Sequence, residues 1–211
     1  MFIRQEAVRV SLAYRYHNPN WDTAKNKLVY GADHNVIGLG ANMTVWLKAQ
    51  GMLNAKTEML VGETFFTDSL ATAKRLLDHR CLFEVEPWFE SRVPTLENIA
   101  VFVAESLHWP QLRVEENASW MVEINKKGGT LFHSFAVEAC RMQIGITGAV
   151  DPDSGLIAPR APILRAVEDW KKTVKLDAKP LFIFNSLREK LPALSWIRLR
   201  GPQNWAFEFR A

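Results

Sequence analysis

The sequence predicts an α+β protein made of two tandem copies of a strand-strand-helix-helix-strand-strand unit. Three observations carry that expectation. Apolar and polar residues alternate at both ends of each half of the chain, and two segments of helical period lie between them. In addition, LRVEENASWMVEI (Leu112 to Ile124) aligns without a gap on IRLRGPQNWAFEF (Ile197 to Phe209). Trp120 then matches Trp205, Glu123 matches Glu208, and Glu116 falls opposite Gly201. Antiparallel hairpins with helices gathered on one face define the class.

Taken in order, EAVRVSLAYRY places Val8, Val10, Leu12, Tyr14 and Tyr16 on one strand face. HNPNWDTAKNK reads as a polar, turn-rich interruption. MTVWLKA resumes the alternation through Met43, Val45 and Leu47. Leu70, Ala73 and Leu77 share a helical face, as do Leu96, Ile99, Val103 and Leu107, with Thr95 placed as N-cap. LRVEE and SWMVEIN form a hairpin turning near Asn117 and Ala118.

NKKGG (Asn125 to Gly129) marks the boundary, giving units 1–126 and 127–211. Beyond it, TLFHSFAVEA and RMQIGITGAV alternate with a slip of phase near Cys140, which predicts a turn or bulge. Ile163, Val167, Trp170 and Val174 share a helical face, FIFNSLREKL is a second helix, and SWIRLRG and NWAFEFRA close the chain as strands.

Composition narrows the function classes. The chain has 211 residues, 48% apolar and 23% charged, as soluble globular proteins do. A net charge of +3 is too small to argue for nucleic acid and is compatible with an anionic small molecule. Eight Trp and twelve Phe point to aromatic packing or to ring-stacking ligands. Cys81 and Cys140 lack metal-ligand spacing, MFIRQEAVRV alternates like a strand rather than a signal peptide, and no run reaches membrane-spanning length. A cytoplasmic protein without a membrane partner is expected.

Four motifs bear on chemistry. GLGAN (Gly38 to Asn42) fails as a phosphate loop, because the third glycine position is Met43, a strand follows it, and the P-loop Lys-Ser/Thr pair is missing. Glu116 shares a strand face with Leu112 and Val114. It is either a strand-end residue turned to solvent or an anchor accepting two parallel hydrogen bonds from an N–H/NH₂ ring edge. Asp78 and His79 are adjacent, so they either end a helix or form a proton-transfer pair. Glu97, in the first turn after the Thr95 cap, is suited to the helix dipole. None of the five histidines forms an H-x-H or H-x₃-H pair; a metal site assembled from His17, Asp33 and His34 is the alternative left open.

Together these pieces resemble the 6-pyruvoyltetrahydropterin synthase and 6-carboxytetrahydropterin synthase family. The segment LDHRCLFEVEPWFESRVPTLENIAVFVAESL (Leu77 to Leu107) is similar to the family's LDH…PT-x-EN-x-A pattern. RVSLAYR, YGADHNVIGLGANMTVWL and RVEEN occupy its other strands, and AVDPDSGLIAPRAPILRAVEDW is similar to its D-P-x-T-G turn and helix. The resemblance implies the tunnelling fold, in which subunits of a homo-oligomer pool their antiparallel strands into a barrel with helices outside and ligand sites between subunits. It also implies that Glu116 grips a pterin or purine-like ring with help from Thr95 and Leu96, and that Asp78 and His79 move a proton.

The departures from the family are as specific. The positions of its three zinc-ligating histidines hold Tyr14, Leu39 and Ala41, and that of its catalytic cysteine holds Asp33, so no zinc cofactor is expected. In the second unit Gly201 stands for the anchor and Asp177-Ala178 for the proton-transfer pair, so that unit is expected to be structural. Two functions stay open: a zinc-independent enzyme on a fused-ring substrate, using Asp78, His79 and Asp33, or a non-catalytic pterin- or purine-binding protein or companion subunit.

Overall fold

The computed structural model describes residues 2–60, 62–125, 128–174, 180–201 and 206–210. Trp205, Asp177-Ala178 and part of the NKKGG boundary lie outside those residues.

The chain opens with a long hairpin of β1 (Phe2–Tyr14) and β2 (Leu39–Gly51), paired from Phe2↔Gly51 to Tyr14↔Leu39. Between these strands sits a helix, α1 (Thr23–Tyr30), where the sequence reads as turns. Asp22 caps it by accepting from Lys25 N–H, and the buried Asn26 side chain ties back to Asn18, Trp21 and Asp22. Polar residues here serve local hydrogen bonds, which hydrophobic periodicity does not register.

Next come α2 (Glu63–Leu77), the two-residue β3 (Arg80–Cys81) parallel to β1, a short α3 (Leu82–Val85), and α4 (Leu96–Leu107). Thr95 caps α4 as expected, accepting from Asn98 N–H. Then β4 (Gln111–Glu115) and β5 (Trp120–Asn125) form the hairpin predicted around Asn117. The same order recurs with β6 (Gly128–Val137), β7 (Cys140–Gly148), α5 (Arg160–Lys171), α6 (Pro180–Lys190), β8 (Leu194–Arg200) and β9 (Ala206–Arg210). The slip near Cys140 is the β6–β7 turn, where Glu138 adopts φ 50°.

The nine described strands form one sheet, β3-β1-β2-β4-β5-β6-β7-β8-β9, antiparallel except at β3. The β5–β6 pairing carries it across the join of the two halves. One face is covered: α2 packs on β1 and β2, α4 on β4 and β5, and α6 on β8 and β9. Val10, Leu12, Met43, Val45, Leu47, Leu112 and Val114 are buried beneath this layer, each worth roughly 1.5–3 kcal/mol. The other face is a polar trough of about 1090 Å³. There Arg113 pairs with Glu123 across β4–β5, and Arg198 with Glu208 across β8–β9, so the aligned repeat reappears as the same ion pair in each half.

Candidate functional site

The end of β4 positions the first residue of the site. Leu112 and Val114 are buried on the helix-covered side, and Glu116, two residues on, follows them inward. Its N–H bonds to Trp120 O at 3.1 Å, which fixes its backbone at the hairpin mouth. The carboxylate is 9% exposed, so the solvent-facing possibility does not hold. Each oxygen has a neighbour in this chain, a hydrogen bond at Oε1 and an ion pair without an aligned hydrogen bond at Oε2. The Tyr14 hydroxyl donates to Oε1, and Arg160 Nη1 lies 2.8 Å from Oε2.

Arg160 is the first residue of α5 and is 3% exposed. Its guanidinium lies 4.7 Å from the ring centroids of both Tyr16 and Trp120, and 3.5 Å from Asp33 Oδ2. A charged group is tolerable at this depth only because acids and π faces surround it. Burial opposes its charge, but Tyr16, Glu116, Glu97 and Asp33 outweigh burial and raise its pKa.

The acids respond to the same crowding. Glu97 is fully buried, and burial pushes its carboxyl up to about 7. Arg160 and the backbone N–H groups of Glu97 and Ile157 pull it down, while Glu116 pushes it further up. The first turn of α4 thus places Glu97 in the interior, within the electrostatic reach of Arg160, beyond a mere complement to the dipole. Asp33, at the end of a 3₁₀ turn after α1, is raised by burial and by Glu116 despite Arg160. Burial, followed by Glu116, raises the Tyr14 hydroxyl as well.

The loop before α5 covers this cluster. Thr95 Oγ1 donates to Gly155 O at 2.5 Å, Tyr30 Oη to Ser154 O at 2.9 Å, and Asn18 Nδ2 to Asp153 O at 2.8 Å. Gly155 needs φ +71°, and a Cβ there would meet Asn98 Nδ2 at 2.5 Å and Thr95 Oγ1 at 3.0 Å. Thr95 and Leu96 are both fully buried, and the Leu96 N–H donates to the Tyr16 hydroxyl at 3.3 Å. The second half therefore sits on the residues expected to hold a ring, and supplies a guanidinium to their carboxylate.

Tyr14, Leu39 and Ala41 do converge. Tyr14 pairs with Leu39 and Leu12 with Ala41, which puts all three on the covered face of β1–β2. Their chemistry does not fit zinc: two are hydrocarbon and the Tyr14 hydroxyl is committed to Glu116. His17 and His34 are brought together, with Nδ1 and Nε2 3.2 Å apart, but Asp33 turns to Arg160 instead. Among the described residues no group of three or more His, Cys, Asp or Glu is arranged to hold a metal.

Asp78 ends α2 as its C-cap, and His79 follows it beside β3 at the edge of the sheet. Asp78 Oδ1 accepts from Ser11 N–H at 2.8 Å and Oδ2 lies 3.2 Å from His79 Nδ1. The Ser11 N–H, ahead of His79 and Lys74, holds the Asp78 carboxyl below its ordinary range. His79 has φ 55° and its side chain is 84% exposed, whereas the Glu116 cluster is buried.

Sequence reasoning missed Arg160, Tyr16, Trp120 and Glu97 as members of one cluster. One signal was available: Arg160 follows Pro159 at the start of a helical pattern. A cation at a helix N-terminus opposes the macrodipole and calls for an acidic partner.

Residues 11–127 match the family model described as 6-pyruvoyl tetrahydropterin synthase; Arg160 lies beyond that match. A 6-pyruvoyl tetrahydrobiopterin synthase of Drosophila melanogaster is 29% identical over 106 residues, covering 50% of this chain and 60% of the relative. The chain thus spans less than two thirds of that protein. A 6-pyruvoyl tetrahydrobiopterin synthase of Poecilia reticulata is 30% identical over 98 residues, 46% of this chain and 67% of the relative. The structure of Caenorhabditis elegans 6-pyruvoyl tetrahydropterin synthase superposes with a TM-score of 0.55 at 22% identity, covering 59% of this chain and 94% of that one, a likeness of fold. With more than half of its residues matched by the family model, the chain belongs to the 6-pyruvoyl tetrahydropterin synthase family.

Proposed function

We propose that this chain is a metal-free, pterin-related member of the family that acts as a companion subunit rather than turning over a pterin at its own Glu116 site. The observation that carries this is the Arg160 guanidinium on the Glu116 carboxylate, with Tyr14 on the other oxygen. With a hydroxyl donating to one oxygen and a buried cation seated beside the other, a ring edge would have to displace Arg160 to reach the carboxylate. The residues at the zinc positions supply no imidazole, so the chain takes no zinc cofactor there. On this reading 1–126 is a tunnelling-fold unit with a closed site, and 127–211 is the unit that closes it. The open sheet joins further copies or a zinc-containing relative into a cytoplasmic oligomer with sites between subunits. The exposed Asp78–His79 pair at the sheet edge is then offered to a neighbouring chain's site for proton transfer.

Titration with neopterin tests it. The purified chain alone is expected to show no saturable heat, while a mixture with a zinc-containing relative elutes as one assembly. His79→Ala lowers the activity of the mixed assembly. Tight neopterin binding by the chain alone, abolished by Glu116→Gln, would overturn the companion role. One observation favours a second reading, a zinc-independent enzyme on a pterin or purine-like substrate: Asp78 is held ionised beside an imidazole open to solvent. That reading requires turnover by the isolated chain that His79→Ala removes.

A further inference from the structure

We propose that the polar trough holds a binding site for a phosphate group, gripped between Arg141 on β7 and Arg200 on β8. Both arginines lie beyond the residues matched by the family model and on the sheet face opposite the Arg160 cluster. The inference therefore stands apart from how the Glu116 site is read.

The register of the strands is the first ground. Arg141 pairs directly with Arg200 across β7–β8. Both side chains line the trough, while their neighbours Met142 and Leu199 are buried on the helix-covered face. Directly paired residues stand about 4.5–5.5 Å apart at Cα, and like charges placed opposite each other destabilise a sheet. The rest of the row brings no relief, because Ala136 flanks Arg141 on β6 and Ala206 flanks Arg200 on β9.

The second ground is a shortage of acids. Strands β7, β8 and β9 bring Arg141, Arg198, Arg200 and Arg210 to the trough against a single acid, Glu208. Both of its oxygens are already taken. Oε2 accepts from Arg198 Nε at 3.1 Å and Nη2 at 2.6 Å, and Oε1 from Arg210 Nε at 3.2 Å and Nη2 at 3.0 Å. Glu138, in the β6–β7 turn, forms no ion pair among the described residues, and GPQNW, the sequence between β8 and β9, contains no acid.

The third ground is the donors left over. Arg141 Nη2 donates to Ala118 O at 2.9 Å, which ties this guanidinium to the β4–β5 turn. Its Nε and Nη1, and the whole Arg200 guanidinium, have no hydrogen bond or ion pair among the described residues. Two guanidinium forks on one row suit an anion with several oxygens better than a single carboxylate. A phosphate group carries about two negative charges and three acceptor oxygens near neutral pH, and so matches both arginines at once.

Thermal melts of the full chain test this. Orthophosphate, pyrophosphate or glycerol phosphate is added to about 10 mM against chloride at equal ionic strength, too dilute for general salt exclusion to matter. Wild type is expected to show a saturable rise in Tm, roughly 4 °C at ten times Kd. Arg141→Gln and Arg200→Gln lose the rise, and Lys48→Gln, elsewhere in the trough, keeps it. A rise with all three anions assigns the site to a phosphate group on any carrier; a rise with orthophosphate and pyrophosphate alone assigns it to the free anion. Should an arginine variant melt too low to read, calorimetric titration of wild type with pyrophosphate is the second measurement, with about one site per chain expected. Absence of binding to wild type, or a rise that Arg200→Gln retains or that Lys48→Gln loses as fully, would overturn the proposal.

Discussion

Replacing Glu97 by glutamine isolates one titration in the buried cluster. In the fold this carboxyl titrates at about 7, against an ordinary 4.5 in the unfolded chain. Between those values the folded protein holds a proton that the unfolded chain has released. The contribution is therefore complete below about pH 4.5, and it is lost as the pH rises through 7. At about 1.4 kcal/mol per pH unit, the gap is worth about 3 kcal/mol.

The wild-type profile alone would hide this, because His133 works in the opposite sense. Burial lowers His133 to about 4 from 6.5, so the unfolded chain binds a proton that the fold refuses. Its contribution accordingly grows as the pH rises from 4 to 6.5. The measurement is thus a difference: urea unfolding of wild type and Glu97→Gln, followed by circular dichroism from about pH 4 to about pH 8. The stability of wild type relative to the variant is expected to fall by about 3 kcal/mol across that range. A difference that stays constant with pH would refute the argument, since it would mean that Glu97 titrates alike in the folded and unfolded chain.

Two further outcomes test other parts of the description. Gly155→Ala places a Cβ 2.5 Å from Asn98 Nδ2 at a backbone φ of +71°, and should destabilise by about 3–5 kcal/mol in the same urea assay. Tyr14→His/Leu39→His/Ala41→His restores three imidazoles to positions that already share one face; the triple variant should bind about one zinc per chain by metal analysis where wild type binds none. Loss of zinc from the variant on gel filtration would show that these positions do not converge as described.

The strands and the α2, α4, α5 and α6 helices were legible because each buries one face and so writes its period into the sequence. Leu112, Val114 and Glu116 show both the reach and the limit of that rule. Alternation put the carboxylate on the apolar side, and it is there, yet alternation could not say what pairs with it. Its partner is 44 residues further along in the other half, and no local pattern links Glu116 to Arg160. Helix α1 was missed for a related reason: Asp22 and Asn26 hold it by polar contacts, so it carries almost no hydrophobic stripe. Thr95 was read correctly as a cap, but its second bond, to Gly155 O, depends on the same long-range docking.

The docking of α5 onto Glu116 has a consequence for symmetry. In a ring of identical subunits every contact is a copy of every other, so an arginine gained at one join is gained at all of them. Here Arg160 faces Glu116 once, while the position aligned with Glu116 in the second half is Gly201. A single polypeptide that spans both sides of a join can change one side without changing its counterpart. The sheet of described strands has distinguishable ends, headed by β3 and closed by β9, so a chain pairing with one end would meet residues different from those at the other.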